Sequence, residues 1–194
     1  MRKKIKLVHG VGVNDADYFV YEYENCKMVW ICPYYRAWKN MLTRAYYYKC
    51  KNMQPTYDDV TVCEEWHSFM CFRSWMETQD WKGNHLDKDI LVLGNKVYSP
   101  DTCVFVSRTI NNFTTDRINH RGEWPLGVHL HKKTGKFRGK CSNPFTGELE
   151  HLGLFKSPDQ AHQAWKKRKH ELACQLADTQ ADERVAEALR IRYL

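Results

Sequence analysis

Residues 125–172 read PLGVHLHKKTGKFRGKCSNPFTGELEHLGLFKSPDQAHQAWKKRKHEL. Val128 and Leu130, then Phe137, Gly139 and Cys141, alternate with polar residues, the period of a strand with one buried face. Thr134-Gly135 interrupts the run and predicts a hairpin turn. A second turn at Asn143 to Gly147 leads to a third strand ending near Phe155. The pattern then changes. Ser157 is a good N-cap, Pro158 suits a first helical turn, and Gln160 completes a capping box. Ala161, Ala164, Trp165, Arg168 and Leu172 follow at helical spacing. The small residues at 161 and 164 allow close approach to a sheet. Three antiparallel strands packed on one helix are expected over residues 125–178. At roughly 55 residues such a unit is small but able to fold alone. In the tail, 179–194, Val185, Leu189 and Tyr193 predict a short extra helix.

The N-terminal half has a different texture. DYFVYEYENCKMVWIC, rich in aromatic and β-branched residues and broken at Glu24-Asn25, predicts a two-stranded hairpin. In PYYRAWKNMLTRAYYYK, Pro33 suits a helix start, and Tyr34, Trp38, Met41, Leu42 and Ala45 recur at helical spacing. Arg36, Lys39, Asn40 and Arg44 lie between them, with the three cations available to phosphate. Pro55 and Asp58-Asp59 mark a loop before a short strand, VTVC. EEWHSFMCFRSWMETQ reads as one helix with a broad apolar face, and His67 packs at its boundary. VFVSRTINNFTTDR looks like a strand running into a polar end. Residues 111–124 lack apolar periodicity and read as a linker, from which Arg117, His120 and Arg121 can follow a groove. The organisation expected is therefore 1–110, a linker over 111–124, 125–178 and the tail, in the α+β class.

The 194 residues carry a formal net charge of +7, which favours an anionic partner, nucleic acid being the commonest. The longest apolar run, MVWIC, is too short to span a bilayer, and the basic N-terminus lacks the apolar segment of a signal peptide. A soluble, cytoplasmic protein with no membrane partner is expected. The eight cysteines are too sparse for a disulfide scaffold and show no Cys-x-x-Cys pair. Reduced thiols are expected, although Cys26, Cys32, Cys50 and Cys63 are a conceivable metal set.

The stretch from 125 to 177 resembles the AP-two/ethylene-response-factor (ERF) DNA-binding domain in motif order, spacing and helix pattern. That resemblance implies a sheet whose outer face enters the major groove of double-stranded DNA. The matching positions are His129, His131, Lys133, Lys140, Ser142 and His151. Arg138 joins them because it shares a strand face with Lys140. Histidine and lysine stand where the family uses mainly arginine and tryptophan. Bidentate guanine reading is thereby largely lost, while salt-sensitive phosphate contacts survive.

A second resemblance covers about residues 34–112. YYRAWKNMLTRAYY, DDVTVCEEWHSF, HLDKDILVLGNKVYSPDTCVFV and INN look like the HNH-type, homing-endonuclease-like proteins of phages and prophages. This implies a ββα-metal module in a protein made inside a bacterial host. An active site of that kind holds one divalent metal, Mg²⁺ or Mn²⁺, beside a base that deprotonates water. Asp87 falls at the first metal-binding acid, Asn95 at the central asparagine, and Thr102 where a helix should offer the second ligand. Lys88 falls at the general base, yet a lysine protonated near neutral pH cannot take water's proton. Asp89 shares a strand face with Asp87. His85 is the nearby base candidate, three residues before Lys88. Two readings of a DNA-binding protein follow: a metal-dependent endonuclease, or a degenerate one that binds DNA as a regulator or architectural factor. A third class is a factor that targets a host protein through Tyr46, Tyr47 and Tyr48. Oligomeric state is not legible in the sequence.

Overall fold

The structure, a computed structural model, describes residues 7–47, 59–115 and 123–194. Arg117, His120 and Arg121, with Cys50 and Tyr48, lie outside the described residues. The chain is α+β and divides into two compact units, 1–107 and 108–194.

The first unit opens with a hairpin, β1 (Tyr21–Glu24) and β2 (Lys27–Ile31), paired antiparallel. Asn25 and Cys26 both take positive φ at its turn, the backbone that a tight two-residue hairpin loop requires. Helix α1 (Pro33–Tyr46) starts with proline in its first turn and buries Tyr35, Trp38, Met41, Leu42 and Ala45. The short β3 (Thr61–Val62) follows. The helix expected across EEWHSFMCFRSWMETQ is broken: Glu64–His67 is a 3₁₀ turn, and α2 runs over Phe69–Glu77. Ser68 between them is extended because it bridges to Val13, and its side chain accepts from the Cys71 N–H to cap α2. Asp15 joins that cap, accepting from the Ser68 hydroxyl at 2.6 Å and the Met70 N–H at 2.9 Å.

Trp38 and Trp66 are fully buried at the centre of this unit, and Trp38 Nε1 donates to the Trp66 carbonyl at 2.7 Å. Around them β4 (His85–Asp87) pairs antiparallel with β6 (Val104–Val106), and β5 (Val97–Tyr98) pairs parallel with β3. The helix that the HNH resemblance implies at Thr102 is absent, although Ser99-Pro100-Asp101 before it has the letters of a helix start. Thr102 N–H and Cys103 N–H both bond to the Ser99 carbonyl, a single turn that feeds directly into β6.

The second unit begins with α3 (Arg108–Thr114), so 111–114 is helix where the sequence suggested linker. Ile110, Phe113 and Thr114 are its buried residues. Its C-terminal carbonyls are covered by donors from later in the chain: Lys169 Nζ and Tyr193 Oη donate to the Phe113 carbonyl, and Arg192 to that of Thr114. A cation at a helix C-terminus is favoured by the aligned backbone dipoles. Three strands, β7 (Val128–His131), β8 (Lys136–Ser142) and β9 (Leu149–Phe155), form an antiparallel sheet in that order. Helix α4 (Pro158–Ala177), capped by Ser157, packs on it, and α5 (Glu183–Ile191) packs on α4. The close approach rests on glycines. A Cβ on Gly127 would collide with Trp165, and one on Gly139 would crowd the Ala161 carbonyl.

Candidate functional site

The pairing register of the sheet decides which side chains share its outer face, because directly paired residues point the same way. Val128 pairs Gly139 and Phe137 pairs Phe155, all toward α4. The alternate pairs point away: His129 with Arg138, His131 with Lys136, Arg138 with Leu154, Lys140 with His151, and Ser142 with Leu149. Six of the seven positions proposed on this unit therefore lie on one face, and Lys133 stands exposed in the β7–β8 turn.

Strand alternation alone would not achieve this on β9. His151 and Phe155 are four apart and would share a face in a regular strand. The pairing slips between Gly139 and Lys140, and Gly153 takes φ +127°, so Leu152 and Phe155 both come to lie beside Gly139 while His151 and Leu154 turn outward. Lys136, opposite His131, joins this face although the sequence did not single it out. Alternation along β8 from Arg138 and Lys140 is the signal that would have found it.

No carboxylate falls in these outward pairs. Glu150, the nearby acid, pairs with Cys141 on the helix side and is held there by Arg168 at 2.7 and 2.9 Å and by Asn143 at 2.7 Å. The Arg168 guanidinium, with help from Asn143, pulls the Glu150 carboxyl down to about 2. The KKRKH run of α4 is thus partly internal wiring: Arg168 ties helix to sheet, and Lys169 sits 3.4 Å from the Phe113 ring centroid. Arg138 differs. Its Nε is buried against the sheet with no hydrogen-bond acceptor among the described residues.

The loop from Asp87 to Thr102 is the opposite case. Asp87 Oδ1 accepts from the backbone N–H groups of Asp89 and Ile90 at 2.7 and 2.8 Å. Lys88 is 5% exposed and donates to Asp89 Oδ1 at 2.6 Å and the Asn95 carbonyl at 2.7 Å. Asn95 Nδ2 donates to the carbonyls of Lys88 and Val97, and its Oδ1 accepts from Val97 N–H. Thr102 donates to the Val97 carbonyl and bonds Ser99. The Lys88 ammonium also lies 6.0 Å from the Tyr98 ring centroid, and Arg44 NH1 donates to Tyr98 Oη at 3.3 Å.

This donor set does not fit a metal ion. Asn95 has both side-chain polar atoms engaged, Asp89 is paired with an ammonium, and Thr102 stands on a turn where the ligand-bearing helix was expected. The helix after these strands is α3, which carries Asn111 and Asn112. His85 lines a cavity of about 270 Å³ against α1, in company with Arg36, Asn40 and Arg44. Two guanidiniums beside an imidazole repel a cation and attract an anion. Arg36 and Arg44 were read in the sequence as phosphate candidates; their convergence with His85 was not legible.

Other expectations meet the structure at particular contacts. Tyr46 Oη accepts from Val62 N–H at 3.0 Å and bonds His67 at 3.3 Å, and the Tyr47 ring lies 5.6 Å from that of His9. Neither is a surplus surface aromatic. Cys26 is exposed in a turn while Cys32 is buried and bonds Tyr18, so those two do not sit in like environments. Among the described residues no helix is long and apolar enough to cross a membrane. No family model, curated protein or solved structure matches the chain.

Proposed function

We propose that the chain is a double-stranded DNA-binding protein whose contact surface is the outer face of the β7–β8–β9 sheet. One observation carries the reading: the register gathers His129, His131, Lys136, Arg138, Lys140 and His151 on a face free of carboxylates in its pairing. Such a face suits phosphates, and the three-stranded sheet on a helix is the architecture that the AP-two/ERF resemblance implies. The apolar Leu149 and Leu154, 57% and 41% exposed, offer contacts to thymine methyls or sugar. Lysine and histidine in place of arginine make backbone attraction the larger part of affinity.

Of the two DNA readings, the non-cleaving one has the better support, because the side chains of the HNH-like frame are hydrogen-bonded into the loop. The expected behaviour is a binder or architectural factor that leaves the phosphodiester intact.

The test is fluorescence anisotropy on a short duplex over a salt series, with supercoiled plasmid incubated in parallel with Mg²⁺, Mn²⁺ or chelator. Affinity should fall with a log–log slope of about −3 to −4, the value for roughly four neutralised phosphates. Arg138→Ala should weaken binding and flatten that slope by about 1. Absence of duplex binding at low salt would overturn the proposal. Metal-dependent cutting lost in Asp87→Ala would restore the nuclease reading.

A further inference from the structure

The residues that line the cavity beside His85 all belong to the first unit. Arg36, Asn40 and Arg44 stand four residues apart on α1, hence one above another on a single face. His85 approaches them from β4. Arg36, Asn40 and His85 make no side-chain hydrogen bond or ion pair with another described residue, in contrast to the loop that follows His85. Arg44 is steadied by Tyr98, whose ring Lys88 also approaches, at 6.0 Å from the centroid. Trp81 and Phe105 line the same cavity. Trp81 is itself held edge-on by Tyr34 at 5.0 Å.

We infer that this cavity binds one nucleotide unit. The phosphate sits against Arg36, Arg44 and Asn40, and the base lies on the apolar side formed with Trp81 and Phe105. The chemistry is matched at both ends. Planar guanidiniums and a side-chain amide donate to phosphate oxygens, and an indole offers a stacking surface to any base. Size agrees as well: the cavity falls just under the ~300–1,000 Å³ range of pockets that enclose a drug-sized molecule. That volume is on the scale of one small ligand and not of a duplex. Only the supply of that nucleotide from a nucleic-acid strand rests on the proposed DNA-binding role.

The probes are dTMP, thymidine, inorganic phosphate and a short oligo-dT strand, each titrated into the full chain at low salt by calorimetry. dTMP should bind, with thymidine and phosphate each weaker by roughly tenfold or more, because each lacks one half of the match. The oligonucleotide binding at least as tightly as dTMP identifies a strand as the source; binding much weaker than dTMP identifies free nucleotide. Arg36→Ala removes an exposed side chain and should leave the melting temperature unchanged while weakening dTMP roughly tenfold. Asn40→Ala should weaken it by a smaller factor. No dTMP binding at millimolar concentration, or dTMP affinity unmoved by Arg36→Ala, overturns the inference. So does inorganic phosphate matching dTMP, which leaves no role for the base. A chain that takes up dTMP but not duplex DNA retains the pocket and loses the sheet's proposed role; the converse separates them the other way.

Discussion

The loop from Asp87 to Thr102 and the outer face of the β7–β8–β9 sheet are both rich in polar side chains, and they use them in opposite ways. In the loop, Lys88, Asn95 and Thr102 each donate to a backbone carbonyl of the same loop, Lys88 forward to Asn95, Asn95 back to Lys88 and Thr102 back to Val97. Their chemistry is spent on holding a stretch that has little regular structure of its own. On the sheet, backbone pairing already holds the strands, so His129, Lys140 and His151 project without structural duty. A short irregular loop needs its polar side chains for shape; a laddered sheet leaves them available for a partner.

The strongest way to break this contrast is at Lys88. Its ammonium lies in a 6% exposed side chain with two acceptors, one of them a backbone carbonyl. Lys88→Ala should destabilise the first unit by about 2–3 kcal/mol, from lost charge-assisted hydrogen bonds and an unsatisfied carbonyl. Partial exposure of Asp89 keeps the figure below that of a fully buried pair. Lys88→Met, which keeps the stem, should recover part of that. Urea unfolding of the two variants against the parent measures it. Equal stability of all three would show that the loop does not depend on Lys88 and would reopen a chemical role for it.

Local periodicity explains why some of this was legible. The β7–β8 hairpin, the Ser157 cap and both C-terminal helices announce themselves by alternation, turn residues or a cap within a few positions. Features set by distant partners do not. The slip at Leu152–Gly153 appears only when β9 is laid against β8. Helix α3 shows a short window with Ile110 and Phe113 as its buried apolar residues, and its C-terminal carbonyls find donors from 56 to 80 residues away. Ser-Pro-Asp at 99–101 has the letters of a helix start, yet Cys103–Val106 is buried throughout and pairs as strand. The HNH resemblance puts the ligand-bearing helix at Thr102, and these letters agree with it, but the burial and pairing of the following residues do not. For the cavity, the stripe Arg36, Asn40, Arg44 was visible, while its partner His85 lies more than forty residues on.

Glu150 sharpens the comparison from the sheet's other side, because it is a polar residue of the same sheet that does carry structural duty. Its carboxyl is held at about 2, below the ~4.3 of an unfolded chain, chiefly by Arg168. The stability it contributes is therefore full above about pH 4.3 and is lost as pH falls toward 2. Glu150→Gln should cost the second unit about 1–2 kcal/mol at neutral pH, the range for a bidentate pair that is about a quarter exposed. The gap between parent and variant should close on acidification through that window. A gap independent of pH would mean that the pair contributes packing and not charge.

His129→Ala and His151→Ala carry the smallest expected change in stability. Both side chains are exposed on the outer face, and neither makes a hydrogen bond to another described residue. Thermal melts should move by less than about 0.5 kcal/mol. Duplex affinity should nonetheless fall roughly three- to tenfold for each, the range for one lost hydrogen bond to phosphate or base edge. The pairing of His151 with Lys140 and of His129 with Arg138 puts each histidine beside a cation, so the two losses test separate rows of the same face. Substitutions that lower stability and leave affinity alone would reverse the assignment, making the outer face a structural surface and sending the search for the partner back to the first unit.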